Sequence, residues 1–107
     1  MILAIVDDLF WRSKMDAAAV AGRGSVRFST RVPEDLAGFH RVLIDLNFST
    51  ADPIQVIHEI RQKAPQMEII GFCSHVQVER QAQARAAGCR AVLPRSTFAA
   101  QLPEWLK

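Results

Sequence analysis

The chain contains no tyrosine and only two cysteines, five glycines and five prolines in 107 residues. Cys73 and Cys89 stand far apart, in neither a CxxC nor a zinc spacing. A disulfide framework and a cysteine-built metal centre are therefore excluded as organising features. Neither sign of charge dominates: 13 basic residues against 11 acidic ones give a formal charge of +2. The ten arginines are scattered over every segment, so no nucleic-acid footprint is expected. No apolar run is long enough to cross a bilayer. The N-terminal apolar stretch is short, lacks a basic leader and ends in two acids, unlike a secretory signal. Repeats, low-complexity stretches and domain linkers are absent. Half of the residues are apolar, enough for one core. A single domain spanning residues 1–107, soluble and cytoplasmic, is the expectation.

What is present is a series of short apolar runs alternating with helical patterns. Ile2-Leu3-Ala4-Ile5-Val6 and Val42-Leu43-Ile44 have the length and β-branched content of strands buried on both faces, as in a parallel sheet. Strands are expected at about 1–6, 25–29, 41–45, 68–73 and 91–93. Helices are expected at about 9–21, 53–64 and 78–87, with a last one starting after Ser96 or Thr97 and running toward Leu106. Ala17-Ala18-Ala19 favours the first helix, and Gly22 and Gly24 end it. Asp52 before Pro53 is the pattern of an N-cap followed by proline at the first helical position. Pro33 and Glu34 open a brief turn or helix to Phe39. The βαβ alternation implies right-handed crossovers with helices on both sheet faces.

Three acids stand where such a sheet opens its binding crevice, at the carboxyl ends of strands. Asp7 and Asp8 follow the first run and Asp45 ends the third strand. If those strands are neighbours, three carboxylates meet at one rim. Left alone they repel, and at least one is expected to keep its proton. A hard divalent ion with oxygen ligands, most naturally Mg²⁺, would relieve the repulsion. The plainer alternative is a set of acids capping strand and helix ends, with Asp8 capping the first helix.

Acid pair, single acid and the Ala87-Gly88 doublet before the last strand together resemble the receiver domain of bacterial two-component response regulators, over essentially the whole chain. The resemblance implies an α/β, flavodoxin-like fold with a five-stranded parallel sheet in the order 2-1-3-4-5. It implies Asp45 as phosphoacceptor, and Asp7, Asp8, Asp45 and the backbone carbonyl of Asn47 as ligands of Mg²⁺. It implies a signalling domain, not a turnover enzyme, beyond autocatalytic phosphoacceptance and dephosphorylation. A histidine kinase or phosphotransfer protein would act upstream and a protein partner downstream. A homodimer could form through the face made by the 78–87 helix, the 91–93 strand and the last helix, as receivers often do. No DxDxT motif, glycine-rich phosphate loop or nucleophile–base pair points instead to an enzyme.

Several positions depart from the family pattern. Arg95 occupies the place of the phosphate-binding lysine; it keeps the charge but presents a planar fork. Its plainer role is a salt bridge to one of the acids. Pro94 precedes Arg95 and Ser96 follows it, where the family places proline after the lysine. Cys73 falls where Ser or Thr would bond the phosphoryl group, and a thiol is a poor donor. Ser74 beside it could serve, or could merely cap the loop. Val92 replaces the switch aromatic, and Phe48-Ser49-Thr50-Ala51 lacks the usual proline and glycine. These changes keep open a phosphorylation-independent pseudo-receiver that acts as a protein-interaction module. His40, His58 and His75 read as surface or boundary residues. Cys73 reads as a small buried apolar residue and Cys89 as a loop thiol. Of Phe10 and Trp11, one could pack under the site and the other face a partner, or both could staple the first helix. Phe98, Leu102, Trp105 and Leu106 read as the core side of the last helix.

Overall fold

Alternation along the strands decides the architecture. In a computed structural model describing residues 1–107, Leu3 and Ile5 point to one side of the first strand, and Ile2, Ala4 and Val6 to the other. Each set joins a separate apolar cluster, so the sheet is buried on both faces, as its continuous apolar runs require. The elements are β1 (Ile2–Ile5), α1 (Leu9–Ala21), β2 (Val26–Ser29), β3 (Arg41–Asp45), α2 (Pro53–Lys63), β4 (Glu68–Cys73), α3 (Val78–Ala87), β5 (Ala91–Pro94), α4 (Arg95–Ala100) and α5 (Leu102–Trp105). All strand pairs are parallel and the order is β2-β1-β3-β4-β5. This is the expected flavodoxin-like topology. No helix is long and apolar enough to cross a membrane.

One face carries α2 and α3, whose Val56, Ile57, Ile60, Ala84 and Ala87 pack against Val42, Ile44 and Ile69. The other carries α1, α4 and α5. There Trp11 and Met15 meet Phe72, Phe98 and Leu102. Phe72 and Phe98 stack with centroids 4.1 Å apart, and Trp11 tilts against Phe72 at 4.8 Å. Such aromatic pairs add about 0.5–1.5 kcal/mol each beyond the area they bury.

Caps set the helix ends. Asp8 Oδ1 accepts the Phe10 N–H at 2.8 Å and Asp52 Oδ1 the Ile54 N–H at 3.0 Å. Gly88 closes α3 with φ +131°, a backbone state that favours glycine. Arg61 packs beside it, and its guanidinium donates to the carbonyls of Pro65, Met67 and Gly88 at 2.6–2.8 Å. Gly24 leaves room for the C-terminal chain: a Cβ there would lie 2.5 Å from the Leu106 carbonyl oxygen.

One open choice is settled and one expectation changes. Of the turn or helix expected from Pro33 to Phe39, the chain takes the turn, with Asp35 Oδ1 accepting the Ala37 N–H. The last helix is two, α4 and α5, separated at Gln101. A continuous helix would leave the Ala99 carbonyl without a donor from Pro103 and drive the proline ring against it. The core role expected of this segment holds for Phe98, Leu102 and Leu106, which are buried, while Trp105 is only partly buried against the same cluster.

Candidate functional site

β1 and β3 lie side by side with Ile5 opposite Ile44, so the acids that follow them share the carboxyl rim of the sheet. Asp45 closes β3 opposite Phe72 of β4 and is 3 % exposed. It is the sole charged or polar residue among the buried ones. Burial pushes its pKa up, as do the charges of Asp7 and Asp8; the Asn47 N–H, 2.9 Å from Asp45 Oδ1, and the Arg95 charge work the other way. A nearly buried carboxylate with one oxygen free of protein donors is costly to keep.

Asp7 meets a different surrounding. Its Oδ2 accepts four hydrogen bonds from the loop after β3: from Ser49 N–H and Oγ–H at 3.0 and 2.9 Å, and from Thr50 N–H and Oγ1–H at 3.1 and 2.9 Å. Desolvation works to raise the Asp7 pKa, but these four donors together outweigh it and hold the carboxyl below its usual value. Asp8, exposed, serves as the N-cap of α1.

The acids therefore share one rim without forming a ready-made cage. No group of three or more His, Cys, Asp or Glu side chains is placed to hold a metal ion. Asp7 and Asp8 still lie close enough for their charges to act on Asp45, while one oxygen of Asp7 is turned to the loop and one of Asp8 to its own helix. The donor chemistry nonetheless suits a hard cation. Asp7 Oδ1, Asp8 Oδ2, Asp45 Oδ2 and the Asn47 carbonyl take no hydrogen bond from the protein.

Arg95 begins α4 directly after β5. It lies close enough for its charge to act on Asp45 and Cys73. It makes no ion pair with any carboxylate; the four ion pairs are Arg41–Glu68, Arg90–Glu68, Lys63–Glu59 and Lys107–Glu104. Cys73 is fully buried among the apolar residues under α2 and α3, and burial raises its pKa. Cys89 lies in the loop between α3 and β5, as expected, and is buried there, its thiol pushed up to about 12 by desolvation. The Ser74 hydroxyl points locally, 3.5 Å from the Val76 N–H, and bonds to none of the acids.

Gln77 and Arg80 are participants that sequence reasoning missed. Gln77 and Asn47 pair through their amides at 3.1 and 2.9 Å, and Gln77 Oε1 also accepts the Ser74 N–H at 3.1 Å. Arg80 donates to the Leu46 carbonyl at 2.8 Å. Together they tie the loops after β3 and β4. Nothing in their local sequence distinguishes them from ordinary polar residues opening a helix. Of the aromatic pair, Trp11 packs inward and Phe10 is 59 % exposed, with Leu9 beside it at 75 %. A hollow of about 610 Å³ lies between α2 and α3, walled by Phe48, Asp52, His58 and Arg80.

No protein-family model matches the sequence, and no curated protein does. Solved structures match in shape. A response regulator receiver domain protein from Clostridium thermocellum shares 17% identity, with TM-score 0.83 over 98% of this chain and 89% of that one. A response regulator from Burkholderia pseudomallei, solved with a phosphorylated aspartic acid, calcium ion and citrate, shares 19% over 99% of this chain and 65% of that one, with TM-score 0.75. The receiver domain of Saccharomyces cerevisiae Ssk1, crystallised with the histidine phosphotransfer protein Ypd1, shares 15% over 98% and 87%, with TM-score 0.77. At these identities the likeness is one of fold. The chain has the fold of response regulator receiver domains, with the parallel strand order β2-β1-β3-β4-β5.

Proposed function

We propose that this chain is a receiver-type signalling domain that accepts a phosphoryl group on Asp45. The burial of Asp45, the lone charged residue in the core at the carboxyl end of β3, carries the reading. A sheet keeps a carboxylate so placed at a cost to stability, and functional sites are where such costs recur. In the reaction, Asp45 Oδ2 attacks phosphorus in line as the bond from phosphorus to the donor's histidine nitrogen breaks. An acyl phosphate forms; the P–N electron pair stays on the donor's ring, whose other nitrogen already carries a proton, so the imidazole leaves as the neutral base. Asp7, Asp8, Asp45 and the Asn47 carbonyl are the oxygens that would hold Mg²⁺, which supplies neutralisation of the phosphoryl charge. Arg95 stands in for the lysine of receivers as the protein's own cation at the rim. Added negative charge on Asp45 then biases the loops after β3 and β4, which the Asn47–Gln77 pair joins, and alters a partner-binding surface.

The receiver–phosphotransfer complex among the similar structures supports an upstream phosphotransfer protein or histidine kinase as donor and a second protein as recipient of the signal. Intact-mass spectrometry after incubation with Mg²⁺ and a small phosphodonor tests the reading. One added phosphate on wild type and none on Asp45→Asn is expected; equal labelling of both, or none on wild type, overturns it. One observation favours a pseudo-receiver that works by binding alone: Asp7 is engaged by four protein donors. Such a module would give no added mass yet keep its partner.

A further inference from the structure

The four donors on one oxygen of Asp7 tie the start of β1's loop to residues 42 and 43 positions further along the chain. They bring two side-chain hydroxyls and two backbone amides to a single atom. Charge-assisted bonds of this kind are the strong ones. The loop they hold begins directly after Asp45, and Asp45 is almost sealed from solvent. Its other tether is Asn47, paired to Gln77. A cation at the rim would draw on the same carboxylate.

We propose that Asp7, Ser49 and Thr50 form a latch that competes with the rim cation. While it is closed, the four donors draw the Asp7 charge onto Oδ2, which leaves the open Oδ1 a weaker ligand for the cation, and the loop after β3 is fixed. When Mg²⁺ draws charge from Asp7 through Oδ1, the Ser49 and Thr50 donors are held less tightly and the loop is loosened. The latch rests on reading the rim as a receiver-type acidic site. It adds that this chain opposes its own cation with two hydroxyl side chains. The loop sequence Phe48-Ser49-Thr50-Ala51 places both hydroxyls side by side, and each hydroxyl reaches the same oxygen as its own backbone amide.

The test is calorimetric titration of the purified chain with MgCl₂. Ser49→Ala with Thr50→Ala removes the two hydroxyl donors and leaves Asp7 intact. Mg²⁺ affinity is expected to rise by about tenfold in the double variant, the effect of about 1.4 kcal/mol of lost competition. Each single variant is expected to fall between, and the singles decide the matter if the double variant does not fold. Unchanged or weaker affinity, or no binding by any of the proteins, overturns the latch. Hydrogen exchange gives a second reading: Mg²⁺ is expected to speed exchange at the Ser49 and Thr50 amides of wild type, and unaltered rates at saturating Mg²⁺ overturn it. Intact-mass labelling in parallel separates this proposal from the phosphoacceptor reading. Equal affinities with labelled Asp45 sink the latch alone, and raised affinity without labelling sinks the acceptor alone.

Discussion

Asp45 is a carboxylate that the fold would hold more cheaply as an amide. Burial lifts its pKa above the ordinary value of 3.8, so the native chain keeps a proton that the unfolded chain gives up. Stability contributed by that proton is full below the unfolded pKa and is lost as pH rises through the folded one. Asp45→Asn keeps an acceptor for the Asn47 N–H and removes the charge. In metal-free buffer the variant is expected to be more stable than wild type at pH 7, because it no longer carries a carboxyl whose charged form burial disfavours. The gap is expected to close as pH falls toward 3.8. Urea unfolding at a series of pH values checks this, and a variant less stable at pH 7 would contradict the buried-charge account. The position of Asp45 was legible, because an acid ending a run of buried β-branched residues has only the rim to occupy. The partners of Asp7 were not: Ser49 and Thr50 read as polar loop, and no local rule connects them to a residue 42 positions earlier.

Helix and strand boundaries follow from signals a short window contains. Alanines, the Asp8 cap and the two glycines delimit α1, and Asp52-Pro53 starts α2. The division between α4 and α5 came from Pro103, whose missing donor acts four residues back and is masked by the apolar spacing of Phe98, Leu102 and Leu106. Arg61 shows what long-range geometry adds. From α2 it reaches the chain before β4 and the end of α3, satisfying three carbonyls. Arg61→Ala would strip donors from part-buried acceptors, and a loss of about 2–3 kcal/mol in unfolding free energy is expected. Arg61→Lys, a point charge without the fork, is expected to recover little of it. Chemical denaturation of both variants decides, and full recovery by lysine would mean that charge, not geometry, holds the three carbonyls.

At the scale of the molecule, the rim is bordered by apolar surface. Leu9 and Phe10 stand exposed directly after the acid pair, while their neighbour Trp11 is in the core. If Asp45 takes its phosphoryl group from a protein donor, as proposed, that donor approaches across this border, and exposed aromatics are strong contributors at such contacts. Phe10→Ser is expected to slow transfer from a phosphotransfer protein by about tenfold, equivalent to about 1.4 kcal/mol. Labelling by a small phosphodonor is expected to stay unchanged. Equal rates from the protein donor would remove Phe10 from the contact surface. The aromatic stack beneath has a separate use. Trp11 lies against Phe72, and Phe72 is the register partner of Asp45, so an indole sits one side chain away from the acid. The other indole, Trp105, belongs to α5 beside Arg41. With Trp105 replaced by Phe, ultraviolet emission from the remaining ring would follow events at Asp45 without any attached dye.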